Sequence, residues 1–255
     1  MIIGRRILRK EEVLSSNDLA KQHGKAGEPE GLVIIAGRQT QGRGRMGREW
    51  SSPAGGLYLS VLLRPSVPAQ RLLSMSVFSG VPVARALERA CGLKVGLKWP
   101  NDLQIESRKV GGILIESVTS GSRVNFVVLG IGLNLNSKKE DIRVKEATSL
   151  YEETGHQIDV ESLIDDLLLE LDSFYRDFVA GKVPDDEYVI RSTVLKRRIE
   201  AMVGKERFVG KALYINDDGA LVLKSDEGLI LRLAWVNDTS IRVLEGDAEF
   251  EESRS

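Results

Sequence analysis

The chain has one cysteine and two histidines in 255 residues. A single thiol, Cys91, excludes an internal disulfide framework and fits a reducing compartment. His23 and His156 stand alone, without the Cys/His clustering that metal ligation requires, so no residue set is assigned to a metal. No apolar run approaches the ~20 residues that span a bilayer. The first six residues lack the apolar stretch of a secretion signal. Neither sign of charge dominates: 36 basic residues face 37 acidic ones, for a net charge of −1. The surface as a whole is therefore not a nucleic-acid footprint, and any basic patch has a local reason. These absences make a soluble cytoplasmic protein the expectation, with no membrane and no DNA partner. What remains, 42% hydrophobic and 29% charged residues, suffices for one large domain or a domain plus a small module.

The periodicities give a coarse map. Leu14, Ser15, Ser16 and Asn17 precede a helical stretch over 18–23, and the hydroxyls and Asn17 suit a helix N-cap. Apolar runs at 32–36 and 56–63 read as strands. Leu73, Val77, Gly80, Ala84, Leu87 and Cys91 recur at three- and four-residue steps, which predicts a helix over 68–91. Pro82 should kink or divide it. Cys91 lies on the apolar face of that helix and reads as a core residue. Strands at 103–105, 111–118 and 123–131 are joined by hairpin-sized linkers, 106–109 and 119–122, as an antiparallel meander. Helices follow over 159–178 and 185–198. From 199 to 246 short strands alternate with turns, the pattern of a small β-barrel, and residues 247–255 form an acidic tail. The fold class is α+β: a mixed, mainly antiparallel sheet flanked by helices over 1–198, then the barrel.

Three segments carry chemistry. In the first, Gly42, Gly44 and Gly47 interleave with Arg43, Arg45 and Arg48 between Gln39 and Trp50. Glycines let backbone N–H groups approach an anion as a nest, and guanidinium forks suit carboxylate and phosphate oxygens. Alone, the loop reads equally as a solvated basic turn or an RGG-like segment, although a strand before it and Trp50 after it hold it on a folded core. The second segment joins Lys98, Trp99, Pro100, Asn101 and Asp102 to Arg108, Lys109, Gly111 and Gly112. The third runs from Gly130 through Gly132 to Asn134 and Asn136 and leads into a charged loop, 137–146. No Walker A pattern is present, so a bound nucleotide needs another geometry.

Together these segments resemble the biotin–protein ligase family, in the family's order and over most of residues 1–150. The Gly42-Arg-Gly-Arg45…Trp50 and Lys98-Trp-Pro-Asn-Asp102 motifs are jointly specific; Ser15-Ser16-Asn17 replaces the frequent Ser-Thr-Asn. The resemblance implies a class II synthetase-like catalytic domain followed by an SH3-like barrel, here without the DNA-binding domain of the family's bifunctional members. It implies that ATP, with Mg²⁺, activates biotin to biotinyl-5′-AMP, and that a lysine of the biotin carboxyl carrier protein of acetyl-CoA carboxylase then accepts the biotin. It places Ser15, Ser16, Asn17, Gln39, Gly42, Arg43, Arg45, Lys109, Gly112 and Gly130 around biotin. Arg43, Arg45, Arg48, Trp50, Asn101, Lys109 and Asn134 fall around ATP, with Lys109, Arg45 and Asp102 carrying the chemistry. A homodimer through the catalytic sheet is also implied. The alternatives are a lipoate–protein ligase, which shares fold and chemistry, a biotin-sensing regulator, and a nucleic-acid module built on the arginine loop.

Overall fold

Alternation of buried and exposed side chains organises the chain into two sheets. The computed structural model describes residues 1–121, 123–142, 144–234 and 239–244. The larger sheet contains β1 (Arg6–Val13), β2 (Leu32–Gln39), β3 (Gly56–Leu63), β4 (Gly96–Lys98), β5 (Asp102–Ile105), β6 (Arg108–Ser120) and β7 (Arg123–Asn134). Its order is β1-β2-β3-β7-β6-β5-β4; β1 runs parallel to β2 and every other pairing is antiparallel. This is the expected mixed, mainly antiparallel sheet.

Both faces of this sheet are covered. Leu32 and Ile34 on β2 join Leu62, Phe126 and Val128 against Ala20 of α1 (Ser16–Lys25). Val33 and Ile35, with the opposite parity, face the main core beneath α2 (Leu72–Phe78), α3 (Gly80–Cys91) and α5 (Val160–Val179). Each such aliphatic side chain contributes ~1.5–3 kcal/mol when withdrawn from water. The short helices α4 (Leu150–Thr154) and α6 (Asp185–Arg191) close the ends of this layer. Among the described residues, no helix is long and apolar enough to cross a membrane.

Several expectations needed correction. The helix predicted over 68–91 is divided at Ser79, not at Pro82. Pro82 is the third residue of α3, inside the first turn, where its missing N–H has no intrahelical partner to lose. The helix predicted to reach 198 stops at Arg191 because Ser192 turns extended and bridges Leu97 of β4. Thr193 N–H then bonds Leu97 O at 3.0 Å, so pairing with the sheet edge displaces the last helical turns. Strands β1 and β4 were not legible: β1 is charged and mostly exposed, and β4 is three residues long. The linker predicted at 106–109 shrinks to a tight turn, because Arg108 and Lys109 already belong to β6.

The C-terminal part is a five-stranded antiparallel sheet of β8 (Arg198–Val203), β9 (Glu206–Ile215), β10 (Leu221–Ser225), β11 (Ile230–Leu233) and β12 (Thr239–Val243), in the order β11-β10-β9-β8-β12. Ile199, Ala201, Leu221 and Leu223 belong to the same apolar cluster as the main core. The tail expected at 247–255, the last residues expected in the barrel, and parts of the 119–122 and 137–146 loops lie outside the described residues.

Candidate active site

A cavity of about 320 Å³ opens on the large sheet where β6 and β7 lie beside the arginine–glycine loop. Its floor is bare because side chains are missing there. A Cβ at Gly130 would lie 2.2 Å from Asn17 Oδ1, and one at Gly132 would lie 2.6 Å from Trp50 Nε1. The two glycines let Asn17 and Trp50 rest flat on β7.

One end is neutral and polar. The Ser15 hydroxyl caps α1 by accepting from Asp18 N–H at 3.3 Å, so the cap reading of this segment holds for Ser15. Ser16 donates its backbone N–H to Gln39 Oε1 at 2.8 Å, and its hydroxyl lies 3.0 Å from the same oxygen. Gln39 Nε2 donates to Ser52 Oγ at 2.9 Å. Ser60, buried behind them, lies 2.8 Å from Ser16 Oγ and 2.6 Å from Asn17 Oδ1. Every amide and hydroxyl here is oriented by a neighbour.

The arginine–glycine loop is a small hairpin and not the open nest of backbone N–H groups its glycines suggested. Arg43 and Glu49 form an antiparallel bridge, Gly44 N–H bonds Arg48 O at 2.8 Å, and Trp50 N–H bonds Gly42 O at 2.9 Å. A Cβ on Gly42 would lie 2.5 Å from Trp50 O, so that pairing needs glycine. The tip turns through Met46 and Gly47, with φ of 58° and 70°. Arg43 is turned toward the protein: both guanidinium nitrogens engage Asp18, and Glu116 lies 3.7 Å away. The Arg43 hydrogen bonds, outweighing burial, hold the Asp18 carboxyl down at about 2, with Lys21 helping. Arg45 enters the cavity and reaches Thr239 O of β12 at 3.4 Å. Burial lowers its pKa to about 10, with Asp102 opposing the shift, so it remains a cation at neutral pH.

Cations and one carboxylate meet in the middle. Lys109, at the start of β6, places Nζ 2.5 Å from Asp102 and 5.1 Å from the centroid of the Trp50 ring. The Trp99–Pro100 peptide is cis, and the turn it makes brings Asn101 to β6, where Nδ2 donates to Ile113 O at 2.6 Å. Arg48 and Gly112 also line the space. Beyond Trp50 two buried polar atoms lack partners among the described residues: the Trp50 indole N–H and Asn134 Oδ1.

All the residues predicted around biotin or ATP line this cavity except Gly42, which shapes the loop behind it. Ile142 and Val144 of the loop that the resemblance sets around adenine wall one side, while sequence reasoning missed Ala147 beside them and Thr239, Ser240 and Ile241, which the C-terminal sheet contributes. Their signal is not local: the contact between Arg45 and Thr239 spans 194 positions.

Residues 11–134 match the model of the biotin/lipoate A/B protein ligase family. The chain is 34% identical over 234 residues to the bifunctional ligase/repressor BirA of Bacillus subtilis, covering 89% of this chain and 72% of that protein. It is 34% identical over 209 residues to the biotin–[acetyl-CoA-carboxylase] ligase of Paracoccus denitrificans, covering 76% and 85%. Among solved structures, the biotin protein ligase of Aquifex aeolicus in complex with biotin and ATP superposes with a TM-score of 0.79 at 28% identity, covering 94% of this chain and all of that one.

Proposed function

This chain belongs to the biotin–protein ligase family, and from that premise we propose that it joins biotin to a carrier-protein lysine in two steps through biotinyl-5′-AMP. In the first, a biotin carboxylate oxygen attacks the α-phosphorus of ATP and the bond to pyrophosphate breaks. In the second, the carrier amine attacks the acyl carbon and AMP leaves. The observation that carries the assignment is the order of chemistries along one cavity: a neutral polar end, a cationic middle, and Trp50 and Asn134 beyond.

Each zone suits one part of the intermediate. Ser16, Asn17 and Gln39 offer oriented polar groups to the ureido ring, with Ser15 and Gly130 shaping that end. Arg45 and Lys109 face the region where carboxylate and phosphate crowd together, the electrostatic problem fixed cations solve. Trp50 and Asn134 line the part of the cavity left for adenine. Arg43 acts by holding the loop, since its guanidinium is engaged by Asp18. Asp102, paired with Lys109, orients the incoming amine. Mg²⁺ would supply further charge neutralisation at the phosphate oxygens. No group of three His, Cys, Asp or Glu gathers among the described residues, so Asp102 or Glu49 would share the ion with substrate oxygens, the usual manner for Mg²⁺.

In this proposal residues 1–198 hold both substrates and the module from 199 to 246 closes the cavity. The carrier is the biotin carboxyl carrier protein of acetyl-CoA carboxylase. Homodimerisation through the catalytic sheet would use β1, the edge strand left open, because β4 is bridged by Ser192. The test is incubation with ATP, Mg²⁺, a carrier domain and either biotin or lipoate, scored by mass shift on the carrier lysine. A biotin-sized shift is expected; a lipoyl shift alone would overturn the assignment.

A further inference from the structure

Behind the neutral end of the cavity lies a charge cluster that the reaction does not touch. Glu116 of β6 accepts from Lys21 Nζ at 2.8 Å and from Asn17 Nδ2 at 2.8 Å, and Arg43 lies 3.7 Å away. Lys21 also reaches Asp18 at 3.0 Å, and Asp18 holds Arg43. Two carboxylates and two cations therefore balance within the cluster. Glu116 itself does not line the cavity.

Its effect on the cavity follows from the direction of hydrogen bonds. An ionised carboxylate only accepts. Asn17 must therefore turn its NH₂ toward Glu116, which leaves Oδ1 toward Ser60 at 2.6 Å. Ser60 has one proton and must give it to that oxygen. Its remaining capacity toward Ser16 Oγ, at 2.8 Å, is as an acceptor, so the Ser16 proton turns inward to Ser60 or to Gln39 Oε1 at 3.0 Å. Either way that proton is not offered to the cavity. Gln39 gives one amide hydrogen to Ser52 and keeps the other, while its Oε1 accepts from the Ser16 backbone N–H. Ser16 thus meets the ligand as an acceptor.

We propose that Glu116 is a positioning residue that sets the polarity of the Asn17–Ser60–Ser16 chain, so that this end of the cavity selects a ring bearing N–H donors, as a cyclic urea does. The inference rests on the biotin reading of the site. A ligand without those donors would leave buried acceptors unpaired, and that is where discrimination is large.

The test is biotin affinity by calorimetry in wild type, Glu116→Ala, Glu116→Gln, Ser60→Ala and the Glu116→Ala/Ser60→Ala double variant. A biotin analogue with one ureido N–H replaced by oxygen is measured alongside, and the KM for ATP is followed in each. Glu116→Ala should weaken biotin about tenfold, the scale of one disoriented buried hydrogen bond, with the ATP KM within about twofold. Glu116→Gln, which can still accept from Asn17, should fall between. The ratio of biotin to analogue affinity should shrink in both Glu116 variants. In the Ser60→Ala background the loss of Glu116 should add nothing, because the chain is already cut. Independent, multiplying losses, an unchanged biotin-to-analogue ratio, or an equal loss of ATP binding would overturn the relay. Wild type that binds neither biotin nor the analogue would instead overturn the assignment of function.

Discussion

Replacing Lys109 with alanine separates catalytic from structural electrostatics. In the resting protein Lys109 makes a 2.5 Å ion pair with Asp102 and lies over the Trp50 ring, and its side chain is 28% exposed. A partly exposed pair of this kind contributes ~0–1 kcal/mol, and the cation–π contact about 0.5–1 kcal/mol. For a chain of this size that corresponds to a melting shift of about 1–8 °C, at ~2–4 °C per kcal/mol. In the proposed adenylation the same ammonium would face the charge that builds as carboxylate meets phosphate. Loss of one such partner costs ~10²–10³ in rate, about 2.7–4 kcal/mol. The alanine variant also leaves Asp102 uncompensated beside the incoming anions, so Lys109→Ala/Asp102→Asn should recover part of the loss. ATP–pyrophosphate exchange at saturating substrates, read beside thermal melting, is the assay. Exchange within about twofold of wild type would refute the role of Lys109. A large loss accompanied by a collapse in melting temperature would refute the division between chemistry and stability.

Other outcomes follow from the same geometry. Arg45→Gly should let the reactive adenylate escape, seen as more labelling of bystander proteins at equal turnover; equal labelling would contradict it. Gly132→Ala places a Cβ 2.6 Å from Trp50 Nε1, so the indole must shift. The ATP KM should rise about tenfold, on the 1–3 kcal/mol scale of overpacking, while biotin affinity holds. Asp18 is held at about 2 against an ordinary 3.8. A depressed carboxyl stabilises the fold above its unfolded value and loses that contribution as pH falls through the folded one. The Arg43 anchor should therefore release between about pH 4 and 2, and Asp18→Asn should flatten that acid limb in a melting series.

How far the sequence could be read depends on where the governing forces act. Val33 and Ile35 against Leu32 and Ile34 alternate within eight residues, so β2 was legible apart from its length. β1 was not, because a strand whose side chains are charged and exposed owes its existence to backbone pairing with β2. The end of α6 was missed for a related reason, since Leu97, ninety-five positions away, captures Ser192. At the site, residue types and spacing brought forward side chains that the fold gathers in one cavity, but not their separate places in it. Arg43 and Arg45 are equivalent in a string of letters. Asp18 and Glu116 make one an anchor, and burial makes the other a cavity cation.

That division between neighbouring arginines also leaves the base and the tip of the loop held by different parts of the fold. Its base is fixed three ways: by the Arg43–Glu49 bridge, by the Trp50-to-Gly42 bond, and by Arg43 on Asp18. The tip, Arg45–Gly47, is a 3₁₀ turn with a left-handed Met46. Arg45 reaches out to Thr239 on the C-terminal sheet, and the same sheet's turn fixes the opposite wall, where Trp99 donates to Gly219 O at 2.9 Å. Gly219 is packed so tightly that a Cβ would lie 3.0 Å from the backbone of Leu73 and Ser74. The turn carrying Asn101 and Asp102 is therefore positioned by the module that follows residue 198. A change in sequence character there marks a change of sheet, while the cavity draws on both sheets at once.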